Sequence, residues 1–254
     1  MRDGTHMIPL RVRDLLQSMM QILSRHGIWC FFEFAALSVA ITTLYALIAP
    51  ESFAMHFTRQ ADASMAGMLT DPVLLVAEAA YALLFALACL RIWEAHSGRR
   101  LAGDDRKRKL LRGAVPLVVL GFVASTLAYL GLILFIAPGL MVVAITSLIA
   151  PAVMVEGRGW RSILRSLRMT GGHVTTLTIA WAAIGMPLLF LGVMLGPDAA
   201  LEAVPGAALW QAWIVSDLLS AAFSAASVAL VMATYATLLE AEAGGGQRLP
   251  EVFR

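Results

Sequence analysis

The side chains in this sequence that could do chemistry are few and far apart. Three carboxylates, Glu33, Glu78 and Asp217, stand inside long apolar runs. A charge inside a bilayer costs about 2.5 to 3.5 kcal/mol on insertion scales, so each marks either a pairing partner or a functional centre. Glu33 lies about one turn into the first apolar run and Arg91 about one turn from the matching end of the second, which predicts an ion pair. Glu78 and Asp217 stand near the other ends of their runs with no intramembrane base beside them, so they either share a polar cavity or reach interfacial water.

Glu156 ends another apolar run, ahead of Arg158, Arg161, Arg165 and Arg168. An acidic group there is favoured by the helix dipole and by nearby arginines, with Arg161 or Arg165 the expected partner. His173 is a lone histidine, and Cys30 and Cys89 lack the spacing of a metal or redox motif, so packing roles are expected. The chain has no glycine-rich phosphate loop, no histidine and carboxylate cluster, and no nucleophile with a credible base. No catalytic residue, metal or cofactor is assigned, and the expectation is a protein that is not an enzyme.

The elements that hold these residues are set by hydropathy. With 59% apolar and 14% charged residues and a mean hydropathy of +0.78, the chain is suited to hydrocarbon rather than water. A spanning helix needs about 20 apolar residues, and the runs predict spans near 29–49, 72–95, 113–136, 139–155, 174–195 and 213–239. The fold class expected is all-α, a polytopic membrane bundle forming a single domain. An unbroken helix over 113–155 would be about 64 Å long, twice the ~30 Å hydrocarbon core. Proline removes a donor and glycine permits tight turns, so Pro138 and Gly139 predict the tip of a helical hairpin, with a re-entrant fourth segment as the alternative. With a reversal there, 18 of the 19 Lys and Arg residues share one side and only Arg59 faces the other. The positive-inside rule makes that side cytoplasmic, with both termini in the cytoplasm of a bacterial inner membrane. No apolar signal segment precedes residue 7, and Met7 is an alternative natural start.

Two segments read as interfacial helices. Over 8–26, Leu15, Leu16, Met19, Ile22 and Leu23 form one stripe opposite Arg11, Asp14, Gln17, Ser18, Gln21 and Arg25. Over 158–171, Trp160, Ile163, Leu164 and Leu167 alternate with Arg158, Arg161, Arg165 and Arg168, whose charges are expected to meet anionic headgroups. Leu15-Leu-Gln-Ser18 and Ile163-Leu-Arg-Ser166 could be equivalent points of a parallel repeat. Small residues spaced by four, such as Ser216, Ser220 and Ser224 beside Ala221 and Ala225, allow close helix packing within the chain or in a homo-oligomer.

The stretch 136–173, about one sixth of the chain, carries Pro138, Gly139, Pro151, Glu156, Ser166, Thr170 and Gly172. This order resembles the glycerophosphoryl diester phosphodiesterase membrane-domain family and the related YciC-type inner-membrane proteins. Leu167 and Gly171 depart from the aromatic and basic residues usual there. The resemblance implies a membrane domain with no established activity of its own. No room is left for a soluble phosphodiesterase barrel, so that activity is not carried over.

The first expectation for function is a lipid-interacting or organising membrane protein with anionic lipids, and a membrane protein or second copy, as partners. The second is a small transporter or channel with Glu78 and Asp217 lining its path, and the third a lipid-modifying enzyme. Nucleic acid is not expected, because the basic run 99–112 beside an apolar helix fits topology and lipid contact.

Overall fold

The computed structural model describes residues 10–48, 72–98, 101–195 and 207–242. Residues 4–7, Arg59, Arg99 and Arg100 lie outside the described residues. All regular elements among those described are helical: α1 (Val12–Ile22), a π turn (Leu23–Gly27), α2 (Ile28–Ile48), α3 (Pro72–Ser97), α4 (Gly103–Leu134), α5 (Ile136–Thr146), α6 (Ile149–Met154), a 3₁₀ turn (Gly159–Arg161), α7 (Ser162–Thr170), α8 (Val174–Leu195) and α9 (Ala207–Glu242). Five helical runs are long and apolar enough to cross a membrane: Val12–Ile48, Leu75–Ser97, Gly103–Leu134, Ile136–Met154 and Ile214–Glu242. The sixth expected span, 174–195, coincides with α8, an apolar helix of 22 residues.

The first helix differs from the sequence expectation. It is not a separate interfacial helix followed by a span, because α1 runs on through the π turn into α2 with helical backbone throughout. Its apolar stripe is satisfied by protein rather than by lipid. Leu15, Ser18, Met19 and Ile22 are buried, and α1 packs on α8 and α9. The partner it covers is the C-terminal part of α9, where every residue from 227 to 238 is buried. A helix that is apolar on all sides has to be enclosed on all sides, and α1, α2, α3 and α8 do this. The exposed apolar residues mark where enclosure ends. Ile28, Trp29 and Phe32 begin an outward-facing belt that includes Leu44, Leu47 and Ile48, and α2, at 21 residues or about 32 Å, matches the thickness of the hydrocarbon core.

The hairpin turns at Phe135, whose extended backbone (φ −161°, ψ 145°) separates α4 from α5. The reversal thus comes just before the expected tip, and Pro138 sits in the first turn of α5. Its missing N–H costs nothing there, since the first amides of a helix have no intrahelical acceptor. Gly139 and Gly131 are buried while the residues between them are exposed. A methyl group on Gly131 would stand 2.8 Å from the Gly139 Cα, so two glycines let the arms touch backbone to backbone.

The expected span 139–155 falls on the apolar run Ile136–Met154, whose helix is interrupted. α5 ends at Thr146 and α6 starts at Ile149. The cause is Pro151, which has no amide to donate to Ser147 four residues back and whose ring crowds that carbonyl. The Ser147 hydroxyl turns back to donate to the Ala144 carbonyl (2.9 Å) and Thr146 to Val142 (2.7 Å), which satisfies the neighbouring acceptors.

Candidate functional site

The ionic centre of the protein lies where α6, α7 and α9 meet. Gly157 and Gly159 have left-handed backbone (φ 69° and 51°), which other residues adopt only with strain, and the tight turn they make folds α7 back over the end of α6. Glu156 accepts from Arg165 Nε at 3.0 and 3.2 Å, from Arg158 Nε, and from the Tyr235 hydroxyl at 3.1 Å. The two terminal nitrogens of Arg165 donate in parallel to Glu242 at 2.6 and 2.5 Å. This forked geometry is the strong form of an arginine–carboxylate contact. Burial works to raise the Glu156 carboxyl, but donation from Arg165 and Arg158 outweighs it and holds the group below the usual carboxylate range. The Glu242 carboxylate, helped by Glu156, keeps Arg165 protonated against its burial.

This corrects one expectation about lipid contact. Arg165 does not present its charge to headgroups: its side chain is only 14% exposed and is held between two carboxylates. Arg158 is more exposed but pairs with Glu156. Arg161 and Arg168 are the two of the four arginines that stand on the outside of α7 without a carboxylate partner among the described residues.

Helix α7 has three faces where the sequence pattern suggests two. The hydroxyl face, Ser162, Ser166 and Thr170 with Met169, is buried against the bundle. Ser166 donates to the Ile145 carbonyl at 2.5 Å, tying α7 to the broken end of α5, and Thr170 donates to the Ser166 carbonyl. The outward face carries Leu164 (54% exposed) and Leu167 (44%), continued by Trp160 (54%) from the preceding 3₁₀ turn. Arg161 and Arg168, seven residues or about two turns apart, line one edge of that apolar strip. Ser18 of α1 is buried as Ser166 is, but Met19 is buried where Leu167 is exposed, so the two proposed repeat points differ in what they cover.

Two further ion pairs fasten the same end of the bundle. Arg91 of α3 pairs with Glu33 of α2, and Arg106 of α4 pairs with the buried Glu94 of α3. The first was legible from depth in the sequence. The second was not, because Glu94 lies close to a charged loop and reads as a solvated residue. Tyr235 and Glu242 were missed for a similar reason: nothing local in sequence marks a partner that is 77 or 79 residues away.

Glu78 and Asp217 share no hydrogen bond, though both carboxylates lie near enough to Tyr81 to act on it. Glu78 is exposed on α3 and takes no part in the hydrogen bonds of Asp217. Asp217 accepts from Ser38 at 2.5 Å and from Thr42 at 3.4 Å. Asp217 stands three residues into the apolar run Ile214–Glu242 and ten residues into α9. Ser38 is ten residues, about 15 Å, beyond Ile28, so the contact falls at the middle of α2. Among the described residues no group of three or more His, Cys, Asp or Glu side chains could hold a metal ion. Pro138 and Gly139 serve the hairpin and reach none of these charged groups.

Comparison of the chain with protein families, curated proteins and solved structures found no match, so the reading of the site rests on its own geometry.

Proposed function

We propose that this is a non-enzymatic multi-pass protein of a bacterial inner membrane that binds anionic lipid at its basic, cytoplasmic end, with α7 as the contact. One observation carries the reading: α7 turns its hydroxyl face to the protein and leaves Trp160, Leu164 and Leu167 exposed beside Arg161 and Arg168. An apolar strip edged by cations is what an interfacial helix offers to the boundary between acyl chains and phosphate. The exposed Trp29 at the start of α2 fits the aromatic belt of the same interface.

The test is native mass spectrometry of the full chain purified in mild detergent, comparing the wild type with Arg161→Ala/Arg168→Ala and with Arg165→Ala. At about 1 kcal/mol for each cation near a headgroup, the double variant should weaken retention of an anionic phospholipid roughly thirtyfold. Arg165→Ala should lower stability more than it lowers retention. Equal retention of anionic and zwitterionic lipid by the wild type would refute the proposal.

A further inference from the structure

Asp217 meets the middle of α2 between apolar helices, and among the described residues it has hydroxyl partners and no ion pair. Its surroundings come from three helices. α2 supplies Ser38 and Thr42, one turn apart on the same face, and α3 supplies Tyr81, whose hydroxyl is within hydrogen-bonding reach of Ser38. Tyr81 is fixed in place by stacking on Phe34, with ring centroids 6.2 Å apart and planes 9° from parallel. Phe34 is itself one turn before Ser38, so a single stripe of α2 positions the aromatic ring and both hydroxyls. Ser38 is buried, which leaves its oxygen no recourse to solvent.

A carboxylate between apolar helices needs its charge balanced. The groups that converge on it are all neutral oxygens, which cannot do so but can complete the shell of a small ion. Oxygen donors of this kind select hard cations over soft ones, and a single carboxylate balances a single positive charge. We infer that Asp217, Ser38, Thr42 and Tyr81 form an intramembrane site for a hard monovalent cation, of which sodium is the probe. Glu78, about one turn before Tyr81 on α3 and exposed, makes no hydrogen bond to Asp217, although its charge reaches Tyr81. The inference is independent of the lipid reading, since it concerns other helices.

The experiment is thermal unfolding of the full chain in lipid nanodiscs at fixed pH, with sodium chloride exchanged for choline chloride at constant ionic strength. A ligand bound only by the folded state raises Tm as its concentration rises, and the expected rise is about 2 to 4 °C for each tenfold increase in sodium beyond the midpoint. Asp217→Asn should abolish the sodium increment. Thr42→Val, which keeps the shape and removes one oxygen, guards against a misfolded first variant and should move the sodium midpoint up severalfold. A wild type indifferent to sodium, an increment that survives in Asp217→Asn, or an unchanged midpoint in Thr42→Val would each overturn the assignment. So would a Tm that follows pH alone, which would identify the centre as a protonated acid.

Discussion

Glu156 is the residue on which most of the basic end converges, and its chemistry sets a pH dependence. Its carboxyl is held below the ordinary value of 4.5 in the folded protein, so folding favours the ionised form. The resulting stability is fully present above that ordinary value and is lost as the pH falls through the lower, folded one. Glu156→Gln removes the charge while keeping the shape, and should cost about 2 kcal/mol near neutral pH, the order of a hydrogen bond to a charged group. The Tm difference between wild type and variant should then shrink as the pH is taken below 4.5; a gap constant down to acid denaturation would show that the Glu156 contacts carry no net charge-dependent stability. At this scale the sequence announced the acid and offered Arg161 or Arg165 as its base. It could not say which arginine would turn inward, because that choice depends on the two left-handed glycines that precede the helix and on a carboxylate, Glu242, supplied from the far end of the chain.

Among the elements, the α4–α5 hairpin and the helix α7 show two ways in which a sequence pattern can be read too simply. The reversal near Pro138 was legible from length alone, since no helix twice the thickness of the membrane can cross it once. The closeness of the arms was not, because it depends on Gly131 and Gly139 meeting across the turn. A methyl group on Gly139 would stand 2.6 Å from the backbone nitrogen of Leu132, a neighbour that cannot rotate away. Gly139→Ala should therefore destabilise the protein by about 1 to 3 kcal/mol, measured as a lowered Tm in detergent, whereas Pro138→Ala, in the permissive first turn, should change it far less. Equal losses would place the constraint at the proline instead. In α7 the apolar and basic residues were visible as stripes and Ser166 as a motif residue, but the sequence did not show that Ser162, Ser166 and Thr170 form a buried face of their own. They are the face that meets the protein, small enough for close approach and able to satisfy a carbonyl freed where α5 stops.

For the molecule as a whole, the all-α architecture and the grouping of charge followed from hydropathy and chain reversal. The partners of Asp217 did not, since Ser38 and Thr42 stand 179 and 175 residues away in the chain. Nor did the enclosure of α9, which runs for 36 residues and packs among α1, α2, α3 and α8. Hydropathy cannot show that enclosure, because Val228 to Leu238 are as apolar in a protein-lined sheath as they would be in lipid. The proposed orientation has its own test. Phe135→Cys should react with a membrane-impermeant maleimide on intact cells, and Arg161→Cys only after permeabilisation; the opposite pattern would invert the topology. Native Cys30 and Cys89 are buried and should give little background. The enclosure of α9 also fixes an order of events during synthesis. The helix around which α1, α2, α3 and α8 are arranged is the last of them to leave the ribosome, so these four enter the bilayer before their common partner exists. Until it arrives, the stripe of α1 has nothing to cover and Arg165 lacks its second carboxylate, and the layer at the basic end closes as a late, cooperative step that a chain stopped before Tyr235 would never reach.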